Sequence, residues 1–371
     1  MRVPQFASAF SHHLRFFALC DKTCAESDQE QTVFVATIEM TQIPLLAVDI
    51  GGSKLVATVY RIDPEIDQGD KSLKLLRKSH RPLVPSTTTA DLLKWIDLVV
   101  DEVFDAANLS KDAIQAIGLT IPGLAEPVSG TWVYACFSGI RDFPIAQIIA
   151  EKYGRPVFIE NDVNACALAE KYFGGCHETE NFLWVTVSNG VGGGLVLRGD
   201  IFSGSFGNAG EIGHFCVEED ERNAFRCGCG NFGCLEAQAA GPGIARRFTQ
   251  LTGKDETAET IAAYAKQGDT DALAVYEKTG WYLGKAIAAS INLVNPGKVI
   301  LGGGVSQSFE LFAPALRKTV QRQIFRDANQ NVVIEPTQLG TDAALAGAVA
   351  LALRGFIASL RRRECGTYPD A

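Results

Sequence analysis

The sequence predicts an α/β protein built as two lobes. Apolar strand-like runs alternate with amphipathic helical stretches. A chain of 371 residues exceeds what one hydrophobic core supports. Three of the strand-like runs also empty into glycine-rich turns. The hydrophobic share of 47% against 21% charged residues is that of a globular chain. With 34 Lys+Arg against 43 Asp+Glu, the net charge of -9 gives no overall footprint for nucleic acid, which is therefore not an expected partner. No uncharged apolar run reaches about 18 residues, so no membrane span is expected. Residues 14–20, interrupted by Arg15, make a poor signal peptide.

Taken in order, residues 1–41 lack sustained periodicity and are expected to form a poorly ordered extension ahead of a fold starting near Met40; a docking arm is the alternative. Residues 42–161 are expected to form a smaller N-terminal α/β lobe. It opens with an apolar run around Asp49, a turn at Gly51, Gly52 and Ser53, and a second strand over 55–60, which together read as a hairpin. Apolar positions at helical spacing predict a helix over 89–107, and residues 114–121 read as a buried strand ending at Pro122 and Gly123. A helix near 144–153, a strand over 156–160 and a helix starting just after Asn161 and Asp162 follow. The larger lobe is expected over 162–342: a strand at 182–187, a mainly helical stretch after 241, and a strand at 299–301. A final alanine-rich helix, about 343–360, is expected to pack back on the smaller lobe. Its closing Arg361, Arg362 and Arg363 complement the helix dipole.

The glycine-rich turns are Asp49 to Lys54 (Gly51, Gly52, Ser53), Ser188 to Gly194 (Asn189, Gly190, Gly192, Gly193) and Gly302, Gly303, Gly304. Glycine lets backbone N–H groups approach phosphate oxygens, and a concave set of such donors binds anions. None matches a P-loop, and each could be an ordinary tight turn; their repetition after strands points to a nucleotide. Asp49, at a strand end beside such a loop, suits Mg²⁺ held through water. Lys54 meets a phosphate or sits on a strand surface.

Asn161 and Asp162 lie where a buried strand becomes a helix. A carboxylate there can take the proton of an attacking hydroxyl, and Asn161 can exchange hydrogen bonds with neighbouring hydroxyls. The structural alternative is a helix cap. His214, Cys227, Cys229 and Cys234 form H-x12-C-x-C-x4-C, one imidazole and three thiolates that satisfy tetrahedral Zn²⁺. All four positions are filled by protein, so the ion would be structural and not a source of hydroxide. The remaining seven of the ten cysteines read as reduced singletons, which fits a cytoplasmic protein.

DIGGSK at 49, ENDVNACALAE at 160, GVGGG at 190, GNAGEIGH at 207, CGCGNFGCLE at 227 and LGGGV at 301 together resemble the ROK family (repressor, open reading frame, kinase) over about residues 43–355. The resemblance implies a two-lobed, actin-like ATPase (ribonuclease H-like) fold with its active site in the inter-lobe cleft. It implies ATP-dependent phosphorylation of a hexose, glucokinase-like, with Asp162 as base and Gly123, Asn161, Asp162, Glu211, His214 and Glu236 around the sugar. ATP, Mg²⁺ and structural Zn²⁺ are the implied cofactors, and a homodimer the implied assembly. Many members carry Pro-Asn and Gly-Trp where this chain has Cys136 and Ile140, which leaves the sugar open between glucose, an N-acetylated hexosamine, fructose and allose. The alternatives are a sugar-responsive regulator or a sugar-binding protein without kinase activity. Residues 1–42 are short and poorly patterned for the helix-turn-helix of the family's repressors.

Overall fold

The computed structural model describes residues 43–61, 75–83, 87–135 and 139–364. The expected extension at 1–41, together with Cys136 and Cys365, lies outside them. The first half of the chain gives β1 (Pro44–Ile50), β2 (Lys54–Arg61), β3 (Leu75–Pro82), α1 (Thr89–Ala107), β4 (Ala116–Ile121), β5 (Leu124–Glu126), β6 (Thr131–Tyr134), β7 (Arg141–Phe143), α2 (Ile145–Tyr153) and β8 (Val157–Asn161). Next come α3 (Asp162–Tyr172), β9 (Phe182–Val187), β10 (Val191–Leu197), β11 (Asp200–Ile201), α4 (Leu235–Ala239), α5 (Gly241–Thr252), α6 (Ala258–Lys266) and α7 (Thr270–Val294). The chain closes with β12 (Lys298–Gly302), α8 (Phe309–Gln323), α9 (Arg326–Asn329), β13 (Val333–Pro336) and α10 (Ala343–Glu364).

Two five-stranded sheets, ordered β3-β2-β1-β4-β8 and β11-β10-β9-β12-β13, repeat one plan: an antiparallel hairpin beside parallel strands. A small antiparallel sheet, β5-β6-β7, flanks the first. One face of the first sheet buries Val48, Ile50 and Leu119 against Ile96, Val100 and Phe104 of α1 and Ile145 and Ile149 of α2. The opposite face buries Leu45, Ala47 and Ala116 against Leu345, Val349 and Phe356 of α10. Ala165 and Leu168 of α3 meet Ala350 and Leu351 of α10, and Ala167 of α3 packs near Trp184 of the second sheet. That sheet's far face packs on α5 to α8. The layering is therefore helices, sheet, the pair α10 and α3, sheet, helices.

Close backbone approach, not side-chain bulk, seats α10. A Cβ on Gly118 of β4 would fall 1.9 Å from the Ala348 carbonyl oxygen, and one on Gly347 would fall 2.5 Å from the backbone of Ala165. This burial also explains a feature the charge-based expectation passed over. Gly340–Leu360 is long and apolar enough to span a membrane by composition, yet its apolar residues are spent on β1, β4 and α3. Most elements fall within a residue or two of their expected limits. β3 was not anticipated because Lys78 and Arg81 interrupt its apolar pattern. Nor was β10, whose glycines read as a loop.

Candidate active site

Three parallel strands carry the polar residues to one edge. Asp49 of β1 is in register with Thr120 of β4, and Thr120 with Glu160 of β8, so Asp49, Thr120 and the β8-to-α3 junction share the C-terminal ends of adjacent strands. Open α/β sheets present ligand-binding groups at this edge. Asp49 is 7% exposed, and its Oδ1 accepts the Thr120 hydroxyl at 2.7 Å. Burial raises the Asp49 carboxyl, while the Thr120 bond and the Lys54 ammonium pull it back down; the Asp342 charge adds to the rise. Neither Thr120 nor Asp342 was singled out from sequence. The only trace of Thr120 is a hydroxyl in an otherwise apolar strand.

At the junction the helix cap and the candidate base are different residues. Asn161 Oδ1 accepts the backbone N–H groups of Val163 (2.9 Å) and Asn164 (3.2 Å), and its Nδ2 donates to the Gly123 carbonyl at 2.9 Å. The capping alternative is thus realised by Asn161. Gly123, at φ +84°, has room for no side chain: a Cβ would lie 2.3 Å from the Tyr134 carbonyl oxygen. Its carbonyl orients Asn161. Asp162, the first residue of α3, accepts the Val163 N–H at 3.0 Å, and the Asn161 side chain also bonds its carboxylate. Burial first, and the Asp49 charge second, push its carboxyl up to about 7. A carboxylate poised near neutrality is what a general base needs.

The glycine turns divide into two kinds. Around Gly52 a Cβ would meet nothing within 4 Å, and at Gly304 only the Ser188 hydroxyl at 3.8 Å, so the protein itself does not demand glycine there. Gly51 is tied back by its N–H to the Lys54 carbonyl at 2.8 Å, with Ser53 and Lys54 exposed beside it. Gly192 and Gly193, expected in a phosphate loop, lie within β10. There a Cβ would meet Val163 at 3.1 Å and the Gly210 carbonyl at 2.5 Å, so packing accounts for both. Gly302 is held by the Trp184 ring and Gly303 by its φ of +88°, while Asn189 and Gly190 form the tip between β9 and β10.

The cysteine segment packs against the start of β10. Gly213 lies so close to it that a Cβ would fall 1.9 Å from the Val191 carbonyl oxygen. Donor atoms of His214, Cys227, Cys229 and Cys234 all lie within 4.8 Å of one another. Cys229 Sγ to Cys234 Sγ is 3.7 Å, as is Cys227 Sγ to His214 Nδ1. Zinc–sulfur bonds of about 2.3 Å at tetrahedral angles put two sulfurs about 3.8 Å apart, so the cluster fits that ion. His214 Nε2 faces Glu211 Oε2 at 3.6 Å. Glu236 joins the cluster to the second glycine turn: its Oε2 accepts the Val191 N–H at 3.1 Å, and its Oε1 lies 3.7 Å from Cys227 Sγ. A Cβ on Gly190 would sit 2.7 Å from that same Oε2.

The ROK family model matches residues 45–355. The chain is 33% identical over 306 residues to the DNA-binding transcriptional dual regulator NagC of Escherichia coli K12, covering 80% of this chain and 74% of that protein. It is 31% identical over 316 residues to a glucokinase of Halalkalibacterium halodurans, covering 81% and 92%. A ROK family glucokinase from Streptomyces griseus, solved with glucose and AMPPNP, superposes with a TM-score of 0.70 at 26% identity, over 84% of this chain and 100% of that one. A DNA-binding relative at this identity removes the support that net charge gave for excluding nucleic acid. With the model match spanning most of the chain and relatives above 30% identity over four-fifths of it, the chain belongs to the ROK family and has its actin-like ATPase fold.

Proposed function

We propose that the protein transfers the γ-phosphoryl group of ATP to a hydroxyl of a hexose or hexose derivative, with Asp162 as general base. The observation that carries this reading is the placement of Asp162, first residue of α3, at a strand-to-helix junction on the same sheet edge as Asp49, where burial and the Asp49 charge raise its carboxyl. As the sugar oxygen attacks phosphorus, Asp162 takes its proton and the bond from the γ-phosphorus to the bridging oxygen breaks, leaving ADP. Asn161, beside Asp162, together with Glu211, His214 and Glu236, would supply hydrogen-bond partners for a polyhydroxylated ring. The open space at Gly52 and Gly304, with Ser53 and Lys54 beside Gly52 and Asn189 at the tip of the second turn, suits the triphosphate. Asp49 would hold Mg²⁺ through water, and the ion would offset the charge developing on the phosphoryl oxygens. His214, Cys227, Cys229 and Cys234 would hold Zn²⁺ as a brace for Glu211 and Glu236. Ile140 is buried and Cys136 lies outside the described residues, so the sugar is left as a class.

A coupled assay of ADP release, with Mg²⁺ and ATP against hexoses, amino sugars and N-acetyl sugars, tests the reading. Turnover with at least one sugar, abolished in Asp162→Asn, is the expected result. The second reading, a sugar-responsive regulator, draws on the resemblance to NagC. Specific DNA binding without turnover on any sugar would replace the first reading with the second.

A further inference from the structure

A groove of about 480 Å³ opens on the far side of the second sheet, between α7 and α8. The two helices are pressed together at Gly280 and Gly284, where a Cβ would fall 2.2 Å from the Phe312 carbonyl oxygen and 2.6 Å from Thr319 Cβ. Beside that seam each helix contributes one stripe at helical spacing: Glu277, Lys278 and Trp281 from α7, and Lys318, Thr319 and Arg322 from α8. Three cations therefore face one carboxylate, on a chain whose net charge is -9. Among the described residues, no ion pair engages Lys318 or Arg322. Trp281 supplies an aromatic ring, with Lys278 Nζ 3.8 Å from its centroid.

We propose that this groove is a second ligand site, taking a phosphomonoester that carries a ring, such as a sugar phosphate. A phosphate accepts charge-assisted hydrogen bonds from several cations at once, and the apolar face of a sugar ring packs on tryptophan. The volume lies in the range of small-molecule sites, and a local cationic focus on an acidic protein draws small anions.

The groove is also wired to the cysteine segment. Lys278 Nζ lies 3.7 Å from Glu218 Oε2, which accepts the Tyr282 hydroxyl at 2.8 Å, and Lys285 donates to the Val217 carbonyl at 2.6 Å. The Val217 N–H in turn donates to the Gly233 carbonyl at 2.8 Å, one residue before Cys234. An anion that drew Lys278 away from Glu218 would loosen a contact next to the backbone pairing beside Cys234.

The test is calorimetric titration of the protein, its cleft first saturated with a turned-over sugar, with glucose 6-phosphate and, separately, with inorganic phosphate, alongside intrinsic tryptophan fluorescence. The double variant Lys318→Glu/Arg322→Glu is expected to lose at least about tenfold in affinity for the sugar phosphate while keeping its affinity for unphosphorylated sugar. Trp281→Phe is expected to remove the fluorescence change. Inorganic phosphate binding as tightly as the sugar phosphate, and equally lost in the double variant, would support the anion site and make free phosphate its ligand. No binding of either probe up to about 10 mM, or undiminished binding in the double variant, overturns the proposal. So does a double variant that turns a dimer into a monomer with anion binding unchanged, since the groove is then an interface between copies.

Discussion

Asp162 is costly to keep charged where it sits, and that cost sets its behaviour. Its carboxyl is pushed up to about 7, first by burial and then by Asp49. kcat/KM should therefore rise with pH through about 7 as Asp162 ionises, and a flat profile between pH 5.5 and 8.5 (roughly the window that brackets that value) would remove it from the base role. The stability sign is the reverse. Between the ordinary carboxyl value near 4 and about 7 the folded state holds the extra proton, so this contribution is full below about pH 4 and is lost as pH rises through about 7. Asp162→Asn should lower turnover by at least about a thousandfold, retain sugar binding by calorimetry, and melt at a higher temperature than the parent at pH 8. Thr120→Val removes the hydroxyl that Asp49 accepts at 2.7 Å. It should raise the Mg²⁺ concentration needed for half-maximal rate by about tenfold, with the fold unchanged by circular dichroism. The candidate base was legible in sequence because a strand-to-helix junction is a local signal. Thr120 and Asp342 were not, because their proximity to Asp49 arises only when β1, β4 and the start of α10 are brought together.

At the scale of elements, the same residue type plays unrelated parts. Gly118 answers to α10, whose Ala348 carbonyl oxygen would lie 1.9 Å from an added Cβ. Gly118→Ala should therefore cost about 1–3 kcal/mol or more in urea unfolding, far beyond a glycine in open space such as Gly52. Sequence could not separate these cases. A glycine-rich run marks close approach or a turn, and whether the approaching group is protein or phosphate depends on what packs there. Gly192 and Gly193, expected in a phosphate loop, lie within β10, where neighbouring protein already requires glycine. The cysteine segment was more legible, since ligand spacing within one stretch is fixed by the chain itself. Cys234→Ser should reduce bound zinc, measured by elemental analysis, from about one per chain to well below that. Because Glu236 accepts the Val191 N–H beside Gly190, the same variant should raise the KM for ATP as well as for sugar. A change in sugar KM alone would confine the brace to the sugar side.

Across the whole molecule, the alternation of strands and helices was readable from the chain, but the repeated hairpin plan of the two sheets was not, since β10 read as a loop. The return of the final helix onto the smaller lobe was expected from the sequence; its placement against α3, between the sheets, was not. That return places α10 and α3 between the sheets, and α3 carries Asp162 at its first residue. Asp49 and Thr120 belong to the first sheet, while Asn189, Gly190 and Gly304 lie at strand ends of the second. On the proposed reading, a sugar bound at Asp162 would have partners tied to both sheets, and drawing the sheets together would both complete the site and expel the water that competes for the γ-phosphoryl group. The radius of gyration from small-angle X-ray scattering should fall when a turned-over sugar is added, and fall equally in Asp162→Asn, which keeps the sugar but not the proton transfer. ATP hydrolysis without sugar should stay far below the kinase rate. An unchanged radius together with vigorous sugar-independent hydrolysis would mean that the cleft does not close on its substrate, and water exclusion would then have to come from the sugar's own fit beside Asn161 and Glu236.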